Sequence, residues 1–237
     1  WFADMGVQDF AGGIVVHITA GVGALVACIM LGPRTGFPKK PMMPHNLPMT
    51  VTGAAMLWVG WFGFNGGSAL GANGDAASAL VVTQISAATA TLVWMFVEWA
   101  KHGKPSMLGA ATGAIAGLAA ITPASGSVGP VGALVIGALS GFICWWASTV
   151  LKLKLGYDDS LDVFGVHGVG GFIGTIMLGI FMAPAFGGVG GEGFSIGKQL
   201  GVQLFAAAVT AVYTAVATFV ILKLVKAVVG LRVDEQE

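Results

Sequence analysis

The amino-acid sequence predicts an all-α, polytopic transmembrane helical bundle, and three observations carry that prediction. Of 237 residues, 56% are hydrophobic and only 9% charged, whereas soluble domains carry roughly 25% charged residues. The mean hydropathy is +0.85. The apolar residues are gathered into seven runs, each near the ~20 residues that a helix needs to cross a bilayer. Lipid offers no partner to a bare backbone N–H or C=O, so runs of this kind cross as helices.

The seven runs lie at 11–31, 47–70, 76–100, 108–122, 131–151, 163–181 and 200–224. The fourth is short and Pro123 follows it, so it is expected to be extended at its start or tilted. The 38 glycines exceed twice the usual share of roughly 7%, and most lie inside the apolar runs. Gly109, Gly113 and Gly117 form a small-xxx-small row, and Gly137 with Gly141 a shorter one. Such rows let helix backbones approach closely in lipid.

Between the runs, the stretch 33–48 holds five prolines and several charges and reads as a connector. Gly187-Gly188-Val189-Gly190-Gly191 reads as a flexible outer loop, without the strand–turn–helix context of a phosphate-binding loop. Ten of the eleven basic residues lie at or beyond the ends of the first, third, fifth and seventh runs; only Lys198 lies on the opposite side. The excess of Lys and Arg on one side marks it as cytoplasmic, which places the N-terminus outside and the C-terminus inside a cell membrane. Net charge is zero, which argues against a nucleic-acid partner. Cys28 and Cys144 lie in apolar runs and read as small buried hydrophobes, with no disulfide framework or paired-cysteine metal motif. The chain opens on Trp1 with no basic stretch before the first run. That run is therefore not a signal peptide, and the chain reads as a piece of a longer one.

Two stretches carry ionisable groups into the apolar runs: Asp9-Phe10-Ala11-Gly12-Gly13-Ile14-Val15-Val16-His17, and Asp162-Val163-Phe164-Gly165-Val166-His167. A polar group held in hydrocarbon is by default a hypothesis about function. A first helix starting near Asp9 puts His17 roughly 12 Å along it, and a sixth starting near Asp158 puts His167 roughly 13–14 Å along. In a core of ~30 Å both reach the midplane from opposite faces, so the two imidazoles are expected to meet. The plainer alternative is that each hydrogen-bonds across helices as structural glue. Asp9 also suits a helix N-cap, and Asp162, with Asp158 and Asp159 before it, suits a helix start. His45 and His102 fall in loops.

A metal centre fails on ligand count, because no third ligand shares the depth of the pair and no His-Glu-x-x-His helix is present. No Gly-x-Ser-x-Gly turn supports a Ser–His–Asp hydrolase, so neither metal nor cofactor is expected. In the second run, Trp61, Phe64 and Ser68 share one helix face by spacing. They read either as aromatic packing or as a pore face, with a hydroxyl toward the outer mouth and an aromatic constriction beneath. Glu98 and Trp99 read as an interfacial anchor at the end of the third run.

Together these motifs resemble the ammonium transporter family (Amt/Mep/Rh), and its bacterial and archaeal Amt branch most. The resemblance rests on Asp-Phe-Ala-Gly-Gly-Ile-Val-Val-His at 9–17, Pro-His-Asn-Leu-Pro at 44–48, Gly-Trp-Phe-Gly-Phe-Asn at 60–65 and Asp-Val-Phe-Gly-Val-His-Gly at 162–168. Gly-Leu-Arg-Val at 230–233 resembles the start of the family's cytoplasmic tail, here 225–237. The resemblance implies an eleven-helix inverted-repeat fold in which residues 1–237 supply the fifth to eleventh helices as one transmembrane domain.

By the same resemblance, His17 and His167 are the twin-histidine pair of the pore and Phe64 one of two gate phenylalanines. Trp61 is a neighbouring pore aromatic and Ser68 the serine of the outer ammonium site. Asp9 and Asp162 are supporting carboxylates. The first four helices of the family fold are missing from this stretch, and with them the second gate phenylalanine and the aromatic that completes the outer cation–π cage. Alone, the chain is not expected to enclose a pore. The implied partners are ammonium or ammonia, the lipid bilayer, a homotrimer and a PII-type regulatory protein. The rival classes are an ammonium sensor, a neutral-gas or water channel and an intramembrane metalloenzyme.

Overall fold

The computed structural model describes residues 1–40 and 42–233. Among the described residues seven long helices follow one another: α1 Gly13–Leu31, α2 Leu47–Gly67, α3 Gly74–His102, α4 Met107–Ile121, α5 Pro130–Leu155, α6 Phe164–Phe181 and α7 Ile196–Val228. No strand occurs among the described residues. All but α4 are long and apolar enough to cross a membrane, so the chain is a multi-pass membrane protein. Polar caps decide where the long helices begin. The Asn73 side chain accepts from the Ala76 N–H at 3.0 Å, and Ser195 caps α7 through the Lys198 N–H. Both helices therefore start before the apolar residues do.

The fourth segment differs from expectation. It is not lengthened to span the bilayer: Ser106 caps it through the Gly109 N–H at 2.8 Å, and it ends at Ile121 after 15 residues. That covers about 22 Å at 1.5 Å per residue, short of a ~30 Å core. A turn at 122–129 makes up the difference, and every residue in it but Gly126 is buried. Non-helical backbone is tolerated at membrane depth where protein surrounds it and meets its polar groups. Phe10 N–H donates to the Pro123 carbonyl at 3.0 Å, and Val189 N–H to that of Ser127 at 3.2 Å. At the other end, Glu98 is more than an interfacial anchor. Its carboxylate accepts from Ser106 N–H at 2.7 Å and Trp94 Nε1–H at 3.2 Å, which ties α3 to the start of α4.

The glycine rows set the packing around α3. A Cβ at Gly117 would lie 2.5 Å from the Ser86 carbonyl oxygen, one at Gly137 2.6 Å from the same atom, and one at Gly141 2.7 Å from that of Ala90. Helices α4 and α5 thus grip α3 at backbone contact from two sides. A dry cluster of Val82, Ile121, Ala133, Ile136 and Leu178 ties α6 to the same unit. On the other side, Ile14 and Ile18 of α1 pack on Ala206 and Ala207 of α7. The buried Gln203 exchanges hydrogen bonds with Gln8 N–H at 2.9 Å and Gln8 C=O at 2.7 Å, which pins the approach to α1 along α7. Of the expected tail, 225–228 are still helical and 234–237 lie outside the described residues. Arg232 Nη1 donates to the carbonyls of Leu31 and Pro33 at 3.1 and 3.0 Å.

The crossing of α1 and α6 is likewise at backbone contact. A Cβ at Gly21 would lie 2.2 Å from the Gly168 Cα, and one at Gly171 2.8 Å from both the Gly13 carbonyl oxygen and the His17 Cβ. Gly21→Ala should force two backbones apart, at a cost of roughly 3 kcal/mol, the upper end for overpacking. Gly201→Ala, where a Cβ meets nothing within 4 Å, should stabilise α7 by about 0.5–1 kcal/mol. Thermal melts in detergent check both, and a Gly21→Ala melt equal to that of the parent would contradict the crossing.

Candidate functional site

The crossing of α1 and α6 brings His17 and His167 together. Their Nδ1 atoms are 3.1 Å apart, and the rings stack with centroids 5.2 Å apart at 24°. Each histidine sits in a π-helical opening turn, Gly13–Ile18 for α1 and Phe164–Gly168 for α6. The α6 turn starts six residues later than the depth estimate assumed, because Asp158 and Asp159 belong to the turn before it. His17 is only 3% exposed and its Nε2 has no partner.

Carboxylates prepare both helix starts. Asp9 accepts the N–H groups of Gly13, Ile14 and Val15 at 2.5, 2.9 and 3.2 Å, satisfying donors that a helix start leaves bare. Burial pushes the Asp9 carboxyl up, and these N–H donors pull it back. On α6 the equivalent work falls to Asp159, which accepts the Phe164 N–H at 2.7 Å. Asp162 does not cap the helix. It stands at φ +56°, a left-handed position that Asp tolerates, and its carboxylate pairs instead with Lys152. Burial pushes Asp162 up and Lys152 offsets this. The echo between the two starts is therefore Asp9 with Asp159, each eight residues before its histidine. Gly12 and Asp162 echo one another five residues before, both at positive φ.

The aromatic residues of α2 complete the wall. Trp61 stacks on His17 at 5.4 Å and 15° and lies nearly parallel to His167 at 6.5 Å and 13°. Phe64 stands 6.4 Å from His17 and is 42% exposed. Ser68 lies one turn further on, at the end of α2, where its hydroxyl donates to the Phe64 carbonyl at 2.8 Å. It does not reach the histidines. Both imidazoles, Trp61, Phe64, Met56 and Leu57 line an apolar cavity of about 780 Å³. Among the described residues, no three His, Cys, Asp or Glu side chains converge as metal ligands would. His45 and His102 are exposed.

Sequence reasoning missed two features. Thr122 is fully buried and accepts the Trp61 Nε1–H at 2.9 Å; a hydroxyl directly before Pro123 inside an apolar run was the available signal. The other is Arg34, which holds Asp158 through its backbone N–H, Nε and Nη2 at 2.7, 2.8 and 2.6 Å. No local pattern links positions so far apart. The Arg34 guanidinium holds the Asp158 carboxyl below the usual carboxylate range.

The model of the Ammonium Transporter Family matches residues 1–237. The chain belongs to the ammonium transporter family. It is 49% identical over 237 residues to ammonium transporter Amt1 of Archaeoglobus fulgidus, covering 100% of this chain and 60% of the relative. It is 47% identical over 237 residues to an ammonium transporter of Aquifex aeolicus, covering 100% and 55%. Among solved structures, Mep2 of Saccharomyces cerevisiae superposes with a TM-score of 0.90 at 36% identity, covering 100% of this chain and 55% of that one. A structure described as a sensor Amt protein gives 0.91 at 34%, covering 100% and 59%. The chain thus spans somewhat over half the length of these relatives. The family is one of transporters, not of enzymes.

The Arg34–Asp158 pair locks the chain just after α1 to the turn between α5 and α6. A carboxyl held low stabilises the fold at neutral pH, and that contribution fades as pH falls through its folded-state value. Asp158→Asn should cost about 2 kcal/mol at pH 7, the scale of hydrogen bonds to a charged group. The deficit should shrink toward pH 3. Melts across pH check this, and a deficit independent of pH would contradict it.

Proposed function

We propose that this chain supplies the histidine-lined wall of an ammonium transporter, in which the cation is recognised at the outer mouth, gives up a proton and crosses as ammonia. The observation that carries the proposal is the His17–His167 pair between two apolar helices, His17 buried and His167 half-buried, with their Nδ1 atoms in hydrogen-bond contact. Such a contact needs an N–H on one Nδ1 and a bare lone pair on the other. The two Nε2 atoms then differ, one bare and one carrying hydrogen. Ammonia can both donate and accept, so it fits such a pair.

A charge at the bilayer centre costs at least about 2.5–3.5 kcal/mol. Ammonium escapes that cost by releasing a proton, and potassium cannot. At the outer mouth, Ser68 offers a hydroxyl, and an aromatic face such as Phe64 adds cation–π attraction of about 0.5–2 kcal/mol. Asp9 supports the carboxylate role through its place at the α1 start. The skew of basic residues supports an outside N-terminus and a cytoplasmic C-terminus, and family membership supports a homotrimer and a PII-type partner. One structural neighbour is described as a sensor, which favours ammonium sensing as the second reading. A signalling module on the same polypeptide would select it.

The test is His17→Ala and His167→Ala in the full-length protein in liposomes, with ammonium-driven current and potassium leak recorded. Each variant should lose ammonium flux or admit potassium. Unchanged flux and selectivity in both would overturn the proposal.

A further inference from the structure

We propose that Thr122 is a positioning residue for the histidine pair, acting through Trp61. The inference rests on reading His17 and His167 as the transport pair. The recorded hydrogen-bonding contact of the His17 ring is Nδ1 to His167, and its Nε2 is unpartnered. One hydrogen bond leaves a planar ring free to rock about the line joining the two nitrogens. The face of Trp61, stacked at 5.4 Å and 15°, stops that motion.

The indole is itself held at its far edge. Trp61 Nε1–H donates to Thr122 Oγ1 at 2.9 Å, while Thr122 Oγ1–H donates to the Leu118 carbonyl at 2.8 Å. With its proton committed, the hydroxyl turns a lone pair to the indole. Thr122 is 0% exposed and Trp61 8%, so water does not substitute for this bond. The neighbouring residue, Pro123, abuts the start of α1: a Cβ at Gly13 would lie 2.4 Å from the Pro123 ring, and the Pro123 carbonyl holds Phe10. The turn that ends α4 early therefore sets both the stacking plane and the helix start beneath His17.

Thr122→Val keeps the shape and removes the acceptor, whereas Thr122→Ser keeps the hydroxyl. In the full-length protein, Thr122→Val should lower ammonium flux by about tenfold, the scale for orphaning a buried donor. It should also raise potassium leak and shift the imidazole ¹⁵N resonances of His17 and His167. Thr122→Ser should match the parent in all three. Parental flux, selectivity and spectrum in Thr122→Val would overturn the inference, as would equal damage in both variants, which would assign the effect to packing at position 122 rather than to the hydroxyl. If Thr122→Val does not fold, Trp61→Phe removes the same bond from the other side and should shift the same resonances; an unshifted spectrum would overturn the inference. A parent that carries no ammonium would refute the transport reading alone, because the ¹⁵N comparison still decides the role of Thr122.

Discussion

Everything in the site depends on the backbone contact between α1 and α6. Helices with ordinary side chains between them pack 8–10 Å apart, but here a Cβ on Gly21 would fall 2.2 Å from Gly168. The glycines stand four residues after the histidines, at positions 21 and 171 against 17 and 167. Residues four apart share a helix face, so each helix offers a gap beside the side chain that must reach across. The 3.1 Å nitrogen contact follows from that pairing of a histidine with a gap. The arrangement reads the same from either helix.

Two further features hold the pair in place. The opening turns of both helices are π-helical, a form that recurs at functional sites, and a carboxylate braces each from ahead. The early end of α4 is the second. The turn that follows it carries Thr122, which holds the Trp61 indole, and Pro123, which abuts the start of α1. The chain accepts irregular backbone at depth there because Phe10 and Val189 supply the missing hydrogen bonds.

Where α1 ends and α6 begins, the charged groups serve the same geometry. Arg34 holds Asp158, Lys152 holds Asp162, and Arg232 closes over the carbonyls of Leu31 and Pro33. Asp158 is paired and Asp159 caps α6 in the very next position, so one short turn both fastens the loop and starts the helix. Asp162 could not cap because its left-handed backbone points the side chain elsewhere.

By itself the sequence determined the number of helices and which two of them carry a histidine opposite the other. Those depend on hydrophobicity and on the motifs at 9–17 and 162–168, which are local. The motif at 60–65 likewise placed Trp61 and Phe64 on one face of one helix. Only the tertiary structure decided which aspartate braces α6, how α4 makes up its missing depth, and that Thr122 meets Trp61 and Arg34 meets Asp158. Each of these is a contact between residues distant in the chain, or a choice among neighbouring carboxylates made by one φ angle, and neither leaves a periodic trace in the sequence.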